Sequence, residues 1–327
     1  PGHSPDLPTL DAIRDAAKLV YQAVPPTPQY CWPLLSERVG AEVWVKHENH
    51  TPTGAFKVRG GLVLLEQLKR EHPDLPGVIT ATKGNHGQSI GFAAKRLGLT
   101  AVIVVPHCNS EGKNHAMHAL GAELIVHGND FQAAREHAGL LAQQRGLISL
   151  PPIHEALVRG VATYSLEFLS GTPSLDTVYV PIGMGSGFCA MAAARKALNL
   201  TTKIVGVVSD HAPTYALSFE QGKPVPHPVT TKLADGLACR QVDAYGLSVV
   251  SQHAERIVRV TDDEVAEAMR IYFTDTHNVA EGAGAASLAA LLKEKDAMSG
   301  KRVGVVLTGG NVDADVFGQV LTNGQLR

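Results

Sequence analysis

The sequence predicts an α/β fold with mainly parallel sheets. Short β-branched runs alternate with amphipathic helical windows along most of the 327 residues. Many of these runs are apolar throughout, as strands are when helices cover both faces of a sheet. In chain order, a strand at 42–46 leads into a turn-rich segment and then a helical pattern carried by Leu62, Val63, Leu65 and Leu68. Strands at 78–81, 101–105 and 123–126 alternate with helices at 88–97, 114–120 and 130–145. This block ends at Pro151-Pro152, a hinge signal. A second run has strands at 177–180, 204–208 and 303–307 with helices at 188–198, 262–273 and 283–293. Residues 222–228, rich in glycine and proline, read as an exposed loop.

Composition narrows the function classes. The chain is 44% apolar and 18% charged, enough for a large core, and its net charge is −2. It carries no long basic run or basic patch interleaved with aromatics, so no nucleic-acid partner is expected. No apolar run approaches the length of a membrane span. The polar, mixed-charge stretch 1–18 does not read as a signal peptide. Cys31, Cys108, Cys189 and Cys239 form no CxxC and read as free thiols in a reducing cytoplasm. Fifteen histidines occur without HExxH spacing, so no metal is expected.

Four segments carry chemistry. The first, from Glu48 to Gly60, holds Lys57 beside Phe56 at the junction between a strand and a helix. Partial desolvation there lowers a lysine's pKa and frees its amine as nucleophile or base. The second, Thr82-Lys83-Gly84-Asn85-His86-Gly87-Gln88, joins a strand to a helix N-terminus, a cradle for a carboxylate or phosphate. The third, Gly183-Met184-Gly185-Ser186-Gly187, bares backbone amides where a helix dipole favours an anion. It is GxGxG rather than GxGxxG, but with Asp210 past the next strand it also fits an NAD(P)-dependent oxidoreductase. The fourth, Thr308-Gly309-Gly310-Asn311, puts a hydroxyl at a strand C-terminus, where ligands gather in parallel sheets. Any one of these alone reads equally well as a turn.

Together, and in this order, they resemble the fold-type II pyridoxal-phosphate enzymes, and within them the serine/threonine dehydratase and serine racemase group. The resemblance runs from about Thr27 to Asn311 and includes Ala234-Asp235-Gly236 and Glu281-Gly282-Ala283-Gly284. It implies a two-domain fold like the tryptophan synthase β subunit. Residues 1–52 with 153–327 would form a large cofactor-binding domain, and 53–152 a small substrate-carboxylate-binding domain. It implies that Lys57 binds pyridoxal 5'-phosphate covalently, with Phe56 flanking the ring and Asn85 beside its phenolic oxygen. Gly183, Met184, Gly185, Ser186 and Gly187 hold the phosphate, and Thr308 meets the pyridine nitrogen. Thr82, Gly84, Asn85 and His86 receive the substrate carboxylate. A cytoplasmic homodimer is implied as well.

The chemistry expected is β-elimination from a 3-hydroxy amino acid such as threonine, serine, phenylserine or 3-hydroxyaspartate, with racemisation as the alternative. Lys57 removes the Cα proton, the cofactor takes up the electrons, and the products are a 2-oxo acid and ammonia. A neutral hydroxyl at Thr308 leaves the ring a weaker electron sink, favouring prompt loss of a β-leaving group over transamination. Three features depart from the family pattern. Lys83 stands where racemases of the family carry serine. It is expected to clamp the substrate carboxylate, to depress the pKa of Lys57, or to act as a second acid/base. Gly160-Val161-Ala162-Thr163 replaces Gly-Gln-Gly-Thr, which bears on a threonine pocket. Ser209-Asp210-His211 offers a single carboxylate where racemases bind a cation.

Overall fold

Two mainly parallel sheets organise the chain in its computed structural model, which describes residues 6–323. Residues 1–5, part of the stretch read for a signal peptide, and 324–327 lie outside the described residues. The strands are β1 (Gln29–Cys31), β2 (Glu42–His47), β3 (Gly77–Ala81), β4 (Thr100–Val105), β5 (Glu123–Val126), β6 (Ile148–Ser149), β7 (Thr177–Pro181), β8 (Lys203–Ser209), β9 (Ala254–Val260) and β10 (Arg302–Leu307). The larger sheet has the order β1-β2-β10-β7-β8-β9 and the smaller β5-β4-β3-β6. Only β1, paired with β2, runs antiparallel. The α/β expectation of mainly parallel sheets therefore holds.

The central strands β7, β8 and β10 are buried almost throughout, and large clusters of buried side chains pack on the sheet faces. Residues 222–228 lie outside regular structure and are mostly exposed, as read. Three strands escaped the sequence reading. β1 and β6 are only 3 and 2 residues long. β9 carries Glu255, Arg256 and Arg259 on an edge position, where Arg256 pairs with Glu294 and Arg259 with Asp210. Charge suits an edge strand but hides it from a hydrophobicity pattern. Six helices were also unread: Leu10–Val20, Pro33–Val39, Glu155–Gly171, Thr214–Gln221, Ala244–His253 and Ala314–Asn323. Glu155–Gly171 is buried on most sides, which erases the polar stripe that marks a surface helix.

Strand ends position the loops of interest. The parallel register sets Leu307 beside His47 and Val305 beside Tyr179, so β2, β7 and β10 finish together. The segments after them, with the one after β3, carry all four motifs. A buried charge cluster anchors the helix Lys57–Glu71 beneath these loops. Arg59, fully buried, donates to Glu48 (2.6 Å) and Glu167 (2.6 Å), and buried Lys46 donates to Glu167 (2.8 Å).

Candidate active site

Lys57 is the first residue of the helix Lys57–Glu71, with Phe56 before it in place of a side-chain cap. Its segment is stitched to the end of β10. Phe56 N–H donates to the Thr308 carbonyl (3.0 Å) and Gly310 N–H to the Gly54 carbonyl (2.9 Å), with a bridge between Ala55 and Gly309. Gly54, at φ +74°, faces Asn311 so closely that a side chain would collide with it. Thr51 Oγ1 donates to the Ala55 carbonyl (2.7 Å) and accepts from Ala55 N–H (3.0 Å), which closes the turn. The Lys57 carbonyl is held by Ser89 Oγ at 2.7 Å. Its amine has no hydrogen-bond or ion-pair partner among the described residues. Burial lowers its pKa most; the positive charge of Lys113 adds to this and Glu281 opposes it.

The Gly183–Gly187 loop follows β7 and opens the helix Ser186–Ala197. Gly185, at φ +114°, occupies the cap position, and no side chain caps the helix. The first N–H groups are left for an anion. Gly183 lies against the Gly236 carbonyl too closely for a side chain, and Tyr215 Oη donates to the Met184 carbonyl (2.7 Å), fixing the loop from below. A Cβ on Gly187 would sit 3.8 Å from the Phe56 ring, so this loop and the Lys57 segment meet. Phe56 in turn packs edge-on against Tyr164, with centroids 5.8 Å apart.

The segment after β3 supplies a second bare helix start. Asn85–Leu97 begins without a side-chain cap, and Thr82 Oγ1 accepts from Gly84 N–H (3.1 Å). His86 is held neutral, its pKa pushed down to about 3 by burial and then by Lys57, and its buried Nε2 has no partner. Asn85 donates to Glu281 Oε1 (2.8 Å) and accepts from Asn311 Nδ2 (2.9 Å). Thr308 is buried and its hydroxyl makes no hydrogen bond among the described residues.

These features fit pyridoxal phosphate: an uncapped glycine-lined helix start for the phosphate, an unpaired half-buried amine, and an unpaired hydroxyl just past the last strand. A family model for pyridoxal-phosphate dependent enzymes matches residues 20–309. The chain belongs to that family. An L-threonine ammonia-lyase of Thermotoga maritima is 31% identical over 98% of this chain and 79% of its own length. A biosynthetic L-threonine dehydratase of Haemophilus influenzae is 32% identical over 93% of this chain, which spans only 60% of that relative. Among solved structures, maize serine racemase superposes with a TM-score of 0.89 at 28% identity, covering 96% of this chain and 97% of its own.

Family membership removes the oxidoreductase alternative. Asp210, its supporting acid, is exposed and paired with Arg259 at 2.8 Å. The structure places two further sequence features. A positive charge that bears on Lys57 is that of Lys113, and Lys83 lines a cavity of about 240 Å³ with His107, Asn109, Asn129 and Asp235. The second feature is the Gly160–Thr163 segment. It lies in Glu155–Gly171, where Gly160 lets the Arg59 backbone approach and Thr163 accepts from Arg59 (3.1 Å). Lys113 and Asn311 escaped the sequence reading as site residues. Nothing near Lys113 marks it, but Glu281 stood at the head of a segment already likened to the family.

Proposed function

We propose that this protein is a pyridoxal-phosphate-dependent ammonia-lyase that eliminates the β-hydroxyl of a 3-hydroxy amino acid. The observation that carries the reading is the convergence of the Lys57 amine, the Gly183–Gly187 helix start and the Thr308 hydroxyl, in a chain whose relatives include L-threonine ammonia-lyases. Pyridoxal phosphate, when bound, supplies an electron sink conjugated to the substrate Cα. Lys57 would hold it, Phe56 and Asn85 would flank its ring, and Gly183, Met184, Gly185, Ser186 and Gly187 would bind its phosphate.

The Thr82–His86 loop receives the substrate carboxylate on the uncapped N–H groups that open the helix Asn85–Leu97, and orients the Cα–H bond toward Lys57. A neutral His86 leaves that cradle without a titrating charge. Lys57, whose pKa is lowered chiefly by burial, takes the Cα proton. Thr308 would offer the cofactor's ring nitrogen a hydroxyl and no carboxylate, an arrangement that favours elimination over transamination. The hydroxyl departs as water, and the released enamine hydrolyses to a 2-oxo acid and ammonia. Lys83, on the carboxylate loop, would reach the substrate carboxylate from the cavity that it lines.

We further infer two domains, 1–52 with 153–327 and 53–152, the larger holding cofactor and the smaller the substrate carboxylate. Each corresponds to one of the two sheets. A cytoplasmic homodimer is part of the same reading. No helix among the described residues is long and apolar enough to cross a membrane. The likeness to a serine racemase keeps racemisation as the second reading.

The test is 2-oxo acid release from a panel of serine, threonine, phenylserine and 3-hydroxyaspartate stereoisomers, with the chirality of remaining substrate followed in parallel. Borohydride should fix the cofactor on Lys57, and Lys57→Ala should abolish both fixation and turnover. Racemised substrate without oxo acid would overturn the lyase reading in favour of the racemase.

A further inference from the structure

Lys113 crosses from one sheet's elements to the other's inside the site. It lies in the helix Glu111–Ala119, and its stem runs over Gly84 so tightly that a Cβ there would collide with it. Its Nζ donates to Glu281 Oε2 at 3.2 Å, with 11% of the side chain exposed. The other Glu281 oxygen accepts from Asn85 Nδ2 (2.8 Å) and Asn311 N–H (3.3 Å). Both oxygens are thus engaged, and the partner that balances the carboxylate's charge is Lys113, not Lys57. The charged or titratable groups facing Lys57 are Glu281, Lys113 and neutral His86; those facing Lys113 are Glu281, Asp235 and Asp313.

We propose that Lys113 is a positioning residue: by pairing with Glu281 it keeps that carboxylate from holding a proton on the Lys57 amine. The inference rests on the proposed function in taking Lys57 as the base. Glu281 sits in the site with donors from the carboxylate loop and from the end of β10, so it is not free to move away. Without Lys113 its charge would be balanced by Lys57, whose nitrogen would then hold a proton at the pH where it must be free to take one. Without Glu281 the Lys113 charge would act on Lys57 unopposed and release that proton at lower pH. Lys83, on the wall of the adjoining cavity, is not among the charges that bear on Lys57.

The cofactor-loaded protein offers a readout independent of turnover: the pH midpoint of its visible absorbance, which follows protonation of the Lys57 nitrogen. The acidic limb of kcat/KM gives a second. Lys113→Met should raise both midpoints by about one pH unit or more, the scale of removing a unit charge from a site of effective dielectric near 20. Glu281→Gln should lower them, Lys113→Met/Glu281→Gln should return close to the parent, and Lys113→Arg should stay there. Lys83→Met should leave them in place. If Lys113→Met does not fold, a downward shift in Glu281→Gln still supports the inference. Unmoved midpoints, or shifts of one sign in both single variants, overturn it; so does lost cofactor retention with no shift. Midpoints that move as stated in a protein releasing no oxo acid would sink the lyase assignment and leave this inference standing.

Discussion

Replacing Gly185 with alanine should weaken cofactor binding far more than it weakens the fold. Gly185 holds φ +114°, a conformation that costs an L-residue about 1–2 kcal/mol. Its new Cβ would lie 3.0 Å from Tyr215 Oη, which is tied to the Met184 carbonyl at 2.7 Å. Retreat of the tyrosine forfeits that hydrogen bond, about 1 kcal/mol. In the free protein the loop can relax and shed this strain. A bound phosphate demands the original array of N–H groups, so the cost of about 2–3 kcal/mol returns as an affinity loss of about 30- to 150-fold. Gly222→Ala is the control. It has positive φ (+67°), stands in an exposed loop and meets nothing within 4 Å, so it strains the backbone away from the site. The assay is titration of apoprotein with pyridoxal phosphate by visible absorbance, with the Tm of each apoprotein measured alongside. If Gly185→Ala binds within twofold of the parent while losing as much Tm as Gly222→Ala, the loop is only a turn.

Arg59→Met should destabilise the protein by about 3–5 kcal/mol in denaturant unfolding, because it leaves buried Glu48 without its cation; Glu48→Gln added to it should recover part of the loss. His47 is buried, accepts from Trp32 Nε1 (3.0 Å), and has its pKa lowered to about 4 by burial first. The unfolded chain therefore binds the proton first as pH falls, and stability should decline between about pH 6.5 and pH 4. His47→Gln should flatten that part of the stability curve; an unchanged slope would show that other groups set it. Lys83→Ala should reduce kcat/KM by about tenfold, the scale of one lost charge-assisted hydrogen bond, without altering the pH midpoint of the visible band. An unaltered kcat/KM would remove Lys83 from the substrate's contacts.

Periodicity alone made the alternating βα run visible, because strands covered on both faces are apolar from end to end and stand out between helices. Glycines in loops after strands, and a lysine at a strand–helix junction, disclosed where backbone N–H groups and an amine could face a ligand. Those signals are local, since a turn or a helix start is specified within a few residues. What lies across the chain was not legible. The Glu281–Lys113 pair joins residues 168 positions apart, and neither side chain carries a local mark of the other. The stitching of 54–56 to 308–310 needs β2 and β10 to be neighbours, an order decided by the packing of the whole sheet. Edge strand β9 and the buried helix Glu155–Gly171 were hidden for opposite reasons, one by its charges and the other by its uniform burial. For the same reason the sequence pointed to Lys83 by proximity along the chain, whereas the electrostatics of Lys57 follow distance in space. Only the tertiary structure decides which lysine that is.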